Sequence, residues 1–226
     1  MKKRKKRKFK KRYWLLIDLA IAIVIVALLL YKPARYKPAA VGPAGNERQV
    51  SPYLTNVLLP QLHNGAQRDE PFELVVTQKG INEIITWSKW PKESEEVRFS
   101  APVVFFVPDS IILMGTANIK GMEFVITIVA ELSLDEEGLL NLQVAKVKVG
   151  TVNITLLAKI LARRMYAQSL AGIDIDMGDW RTRIAASLLN NEPFEPVFKV
   201  EDKKVRVEEI TVTREKLTIR LVPVYD

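Results

Sequence analysis

Residues 97–134 read VRFSAPVVFFVPDSIILMGTANIKGMEFVITIVAELSL, and their alternation decides the fold class. From Val97 to Val107 every odd position is apolar (Val97, Phe99, Ala101, Val103, Phe105, Val107), the period of two expected of a strand. Ile111 to Ile119 alternates again, and Met122 to Leu134 places Met122, Phe124, Ile126, Ile128, Ala130, Leu132 and Leu134 on one face. Pro108-Asp109-Ser110, Lys120-Gly121 and Asp135-Glu136-Glu137-Gly138 supply turns. The segment therefore predicts an antiparallel meander, which Leu139 to Val149 continues.

Around the meander the period changes. Upstream, Phe72 to Val76 reads as a strand entering a helix from Thr77 to about Lys89, with Thr77 as N-cap and Ile81, Ile84 and Ile85 at helical spacing. Ser51 to Leu62 reads as a short helix with Pro52 at its first position, which Pro60 must end or bend. Downstream, Thr151 to Leu170 predicts a helix with Ile154, Leu157, Ala158, Leu161 and Met165 on one face and Lys159, Arg163 and Arg164 opposite. The apolar face is expected on the concave side of the sheet. Trp180 to Asn190 reads as a second amphipathic helix, and Val197 to Val200, Lys204 to Thr213 and Lys216 to Val222 as closing strands. The expected class is α+β: an N-terminal transmembrane helix, then a curved antiparallel sheet packed with two or three helices.

The N-terminus carries its own signal. Ten of the first twelve residues are Lys or Arg, and the apolar run Trp14 to Leu30 follows at once. Tyr13 and Tyr31 flank that run as an interfacial aromatic belt would, and its one charge, Asp18, lies about one turn from the basic end. The organisation expected is a basic cytoplasmic tail (1–12), a transmembrane helix (13–31), a Pro/Ala/Gly linker (32–50) and an exported α+β domain (51–226). The basic excess before the run keeps the N-terminus inside, which puts the domain on the extracytoplasmic side of the cell membrane. A cleaved signal peptide is the competing reading; the run is long for one, and Tyr31-Lys32-Pro33 offers no small-x-small site.

The net charge of +8 belongs to the tail. Removing its ten cations from the 34 in the chain leaves 24 against 26 acidic residues, a balance of −2 over residues 13–226. The body is therefore no nucleic-acid binder by charge.

Catalytic chemistry finds little support. There is no cysteine, and His63 is the only histidine, so no nucleophile–base pair or His/Cys metal site can be assembled. Asp174-Ile175-Asp176-Met177-Gly178-Asp179 lacks the closing glutamate of a calcium loop. Asn153-Ile154-Thr155 is a glycosylation sequon in form only. No enzyme activity, catalytic residue, cofactor or metal is expected.

One pattern points to a ligand. Between 103 and 129 several strands are apolar on both faces, with Val104 and Phe106 opposing Val103 and Phe105. Something must cover the second face: packed helices, or a partly open groove for acyl chains. The wall positions of such a groove would be Phe105, Phe106, Phe124, Ile126, Leu157, Leu161 and Met165.

Three segments carry a family resemblance. They are Phe72 to Asn82 (FELVVTQKGIN), Lys148 to Asn153 (KVGTVN), and the ending from Pro196 through Val205–Val212 to Ile219. With the anchor, they give a layout that resembles the YpmS-like family of bacterial single-pass envelope proteins. More distantly it is similar to the tubular lipid-binding proteins. The resemblance implies no catalytic residues. The function expected is a non-catalytic, membrane-anchored envelope protein whose exported domain binds lipid or another amphiphile. The alternative is an envelope scaffold or adaptor that holds a protein partner through the same domain.

Overall fold

The computed structural model describes residues 5–38, 50–94, 96–170 and 180–225, with the backbone alone at 5–12, 165, 167–170 and 180–181. Among these residues the fold is α+β, with two antiparallel sheets where the sequence suggested one. The chain runs through α1 (Lys5–Leu29), a π-helical turn (Leu54–Leu58), α2 (Leu59–Ala66), β1 (Phe72–Thr77) and α3 (Gln78–Trp87). Next come β2 (Lys92–Ser94), β3 (Val97–Phe99), β4 (Val103–Val107), β5 (Ser110–Ile119), β6 (Met122–Leu134), β7 (Leu140–Val149) and β8 (Val152–Asn153). It ends with α4 (Thr155–Leu170), α5 (Trp180–Asn190), β9 (Val197–Val200), β10 (Lys203–Thr213) and β11 (Lys216–Val224).

The small sheet has the order β1-β11-β10-β9, and the large one β2-β3-β5-β6-β7-β8 with β4 also on β5. Long twisted sheets tend to split into packed layers, because twist accumulates across strands. Here the small sheet lies over one end of the large one. Val76 and Val212 meet Val104 and Phe106 in a shared core, joined by Ile81, Ile85, Leu132 and Ile210.

Two phase shifts make this packing possible. Phe99 pairs with Ala117, but Val104 pairs with Leu113, so the 97–107 segment holds one residue more than its partner between those points. The extra residue falls at Ser100-Ala101-Pro102, where proline has no N–H to give a ladder. Val104 and Phe106 thus turn inward and Val103, Phe105 and Val107 outward, so the single odd-numbered face read from the sequence is corrected to two half-faces. In β10 a bulge between Val207 and Glu209 keeps Val205, Val207, Ile210 and Val212 on one inner face.

Free strand edges are closed by helix side chains. On β4, Asn82 donates Nδ2–H to Val104 O and accepts Val104 N–H, both at 2.7 Å, while Gln78 Oε1 accepts Phe106 N–H at 2.8 Å. On β1, Gln61 Oε1 accepts Val75 N–H (3.0 Å) and the Tyr53 hydroxyl accepts Thr77 N–H (3.0 Å). On β7, Ser187 Oγ accepts Leu142 N–H (2.8 Å) and Thr155 Oγ1 accepts Val147 N–H (2.9 Å). Such capping removes the exposed N–H and C=O rows that invite edge-to-edge pairing.

Pro60 does not end its helix. Upstream, Leu59 N–H reaches back five residues to Leu54 O, and this wide turn relieves the clash a proline ring makes with the carbonyl four residues before it. Thr77 does cap α3, accepting Gly80 N–H at 3.1 Å.

Helix α1 starts within the basic segment, and its described side chains from Tyr13 to Leu29 are exposed apart from the half-buried Leu29. Among the described residues no helix is long and apolar enough to cross a membrane. The C-terminal end of α1 rests on the domain: Thr151 N–H and Oγ1–H both donate to Leu28 O, at 3.0 and 3.2 Å. Beyond it, Lys32 pairs with Glu123 at 2.6 Å, and the buried Tyr36 hydroxyl bonds Thr116 Oγ1 at 2.8 Å. The first residues of the expected linker are therefore bound to the large sheet; 39–49 lie outside the described residues.

Candidate functional site: an apolar pocket under the small sheet

The inner face of the small sheet is not wholly covered by the large one. Where the two diverge, α2 and α5 close the space and leave a pocket of about 640 Å³. Its floor is Val205 and Val207 of β10 with Ile219 and Leu221 of β11; Leu62 of α2, Ile184 of α5 and Phe198 of β9 form walls. Alternation in the three strands, together with the β10 bulge, aims these side chains at one space. Arg183 supplies a polar edge, with Nη1–H donated to Glu195 O at 3.2 Å and the guanidinium over the Phe194 ring.

The volume lies in the usual range for small-molecule sites, ~300–1,000 Å³, and the lining is of the apolar type they share. A sealed, unfilled space of 640 Å³ would forfeit on the order of 15 kcal/mol at ~24 cal/mol per Å³, as much as a whole domain's stability. A pocket of this size is thus one that exchanges its contents with the surroundings. A shallower neighbour of about 520 Å³ shares Leu62 and Val200 with it, and His63 lies on that side with Nδ1 3.2 Å from Glu201 Oε1.

The wall positions read from the sequence fall elsewhere. Phe106 is buried in the core between the sheets, and Phe105 lies half-buried on the outer face of β4. Phe124 and Ile126 are half-buried on β6, away from the pocket lining. Leu157 and Leu161 are exposed on α4, and the Met165 side chain lies outside the described residues. The concave-side placement of the α4 apolar face is therefore corrected. Ile154, Ala158, Ala162 and Tyr166 form the half-buried stripe, four residues apart, because the small alanines let the helix approach β7 and α5 closely. What sequence reasoning missed is that the strands at 72–76, 197–200, 204–213 and 216–222 form a sheet of their own with a pocket-lining face: Val205, Val207, Ile219 and Leu221 alternate as an ordinary packed strand face would. The break in phase between Val207 and Ile210 was the available signal.

The other motifs take structural roles. Asn153 Oδ1 accepts Thr155 N–H at 3.0 Å and Thr155 Oγ1–H at 2.6 Å, shaping the entry to α4. The Asp174–Asp179 segment lies outside the described residues. Among those described, no three His, Cys, Asp or Glu side chains converge as a metal site. No family model and no curated protein matches the chain.

Proposed function

We propose that this protein is a membrane-anchored, non-catalytic envelope protein whose exported domain takes up the apolar chain of a lipid or similar amphiphile in the pocket under the small sheet. The pocket itself carries the reading: about 640 Å³, apolar over most of its lining, with the cationic Arg183, Lys199 and Lys204 among its residues. That combination suits a molecule with a long apolar body and a polar end. The anchor is supported by the exposed apolar side chains of α1, which only a bilayer or another protein would keep from water, and by the ten cations that precede them. Lipid uptake is also what the resemblance to tubular lipid-binding proteins would imply.

The test uses the full chain in detergent, stripped of bound lipid and titrated with a fluorescent fatty-acid analogue, with native mass spectrometry to count bound molecules. Saturable uptake that an unlabelled fatty acid displaces is the expected result. No uptake, together with no lipid carried through purification, would refute it. The scaffold reading has one observation of its own, the exposed apolar face of α4.

A further inference from the structure

We infer that helix α4 lies in the outer interface of the membrane that α1 enters, with Leu156, Leu157, Ile160 and Leu161 inserted among the lipid chains. The inference rests on reading α1 as the anchor. These four side chains are 81%, 55%, 65% and 50% exposed, although all are large and aliphatic. At ~100° per residue they occupy a single arc of about 140°, the wet side of the helix. The opposite arc already packs on β7 and α5. Nothing in the described domain covers the outer arc.

Its position in the fold says what does. The end of α1 is bonded to Thr151, through Leu28 O, and Leu156 follows Thr151 by five residues. Those five residues reach at most ~18 Å, so the stripe begins beside the point where the anchor leaves the membrane. Gly150, held at φ +58°, leaves no room for a Cβ against the Leu28 carbonyl, which keeps the junction tight. A second exposed apolar side chain, Met122, lies next to Glu123, whose carboxylate binds Lys32 just past α1. Two apolar projections thus follow closely on contacts made by the end of one apolar helix.

Charge agrees with this placement. Arg164 falls in the middle of the exposed arc one turn further on, and Arg163 at its margin is turned inward, donating Nε–H to Leu189 O at 2.7 Å. An arginine at the end of an apolar stripe reaches phosphate headgroups while its stem stays among the chains. The occupant proposed is therefore a lipid surface, with preference for anionic headgroups, rather than a protein.

The chain has no cysteine, so single cysteines report cleanly. Full-length Val24→Cys, Leu157→Cys, Leu161→Cys and Asp202→Cys would each carry an environment-sensitive fluorophore. They would be reconstituted in phosphatidylcholine vesicles with and without phosphatidylglycerol. Lipid-borne nitroxide should quench 24, 157 and 161 several-fold more than 202, and Arg164→Gln should reduce quenching at 157 only in the anionic vesicles. Quenching at 24 by lipid, but at 157 and 161 only by aqueous iodide, would overturn the inference and leave the anchor standing. Shielding of 157 and 161 from both quenchers would assign the stripe to a protein contact and also overturn it. No lipid quenching at 24 would remove the anchor reading, and this inference with it.

Discussion

Val200 and Val125 make a paired test of the pocket: Val200 is half-buried and lines it, whereas Val125 is 1% exposed and does not. Phe adds four carbons to Val, worth up to ~3 kcal/mol at ~0.8 kcal/mol each where they find apolar room. Ordering the ring takes back part of this, leaving a gain of about 1–2 kcal/mol for Val200→Phe. At Val125, where packing is closed, overfilling costs about 1–3 kcal/mol. The two variants should therefore differ by about 2–5 kcal/mol in urea unfolding of the stripped full-length chain. Unfolding would be followed by the fluorescence of its four tryptophans. Val200→Phe should also lose affinity for the fatty-acid analogue while remaining folded. If Val200→Phe destabilises as much as Val125→Phe, the pocket offers no room. If it is stabilised and still takes up the probe unchanged, the pocket is not the lipid site.

Asn82→Ala strips partners from both Val104 backbone groups and should cost about 2–4 kcal/mol in the same urea assay; a loss under ~0.5 kcal/mol would mean water replaces the amide freely. Ser187→Ala leaves the buried Leu142 N–H without its acceptor, so a loss of about 1–3 kcal/mol is expected, with faster exchange of that amide by NMR than of Val147. Gly150→Ala forces a left-handed backbone on a Cβ-bearing residue, costing ~1–2 kcal/mol, and pushes α1 off the domain. Trypsin should then cut at Lys32 or Lys37 sooner than in the parent, and an unchanged digestion pattern would count against the joint. Gly80→Ala would drive a methyl into the Tyr53 ring and free Thr77 N–H, which should then exchange faster by NMR than Val75 N–H, held by Gln61.

The strand and helix periods carried most of the fold, because each element's inner face is a local property. Trp180–Asn190 and Val197–Val200 fall on the bounds read from the sequence, and Thr77 caps its helix as its side chain predicts. Relations between elements were less legible. A one-residue bulge at Ser100-Ala101-Pro102 reverses the faces of β4, and nothing in the alternation of 97–107 reveals it, since residues on both faces are apolar. Of the single apolar face read on the helix at 155–170, Ile154 and Ala158 are half-buried while Leu157 and Leu161 are exposed. Helical spacing located that face to within one turn, but close approach to β7 selected the edge that carries the alanines. The pocket was least legible of all: a strand face that lines a pocket and one that packs a core have the same pattern.

The walls of the pocket are placed by packing and by polar contacts together: Ala66 and Leu62 of α2 pack on Val205, Val207 and Leu221, and Ile184 and Leu188 of α5 on Phe194 and Phe198. Apolar surfaces left to themselves would close over a space of this size, since every Å² removed from water contributes about 25 cal/mol. Here α2 is fixed to the edge of β1 through Gln61, the chain ahead of the π-helical turn through Tyr53, and α5 to the edge of β7 through Ser187, which is fully buried. Moving either helix inward would strand buried N–H groups on two strands, each at a cost of about 1–3 kcal/mol, before much apolar contact was gained. Above, the bulge in β10 between Val207 and Glu209 keeps Val205 and Val207 on the same inner face as Ile210 and Val212. The edge-capping side chains thus have two effects. They protect strand edges from wrong pairing, and they fix α2 and α5 in place beside the small sheet.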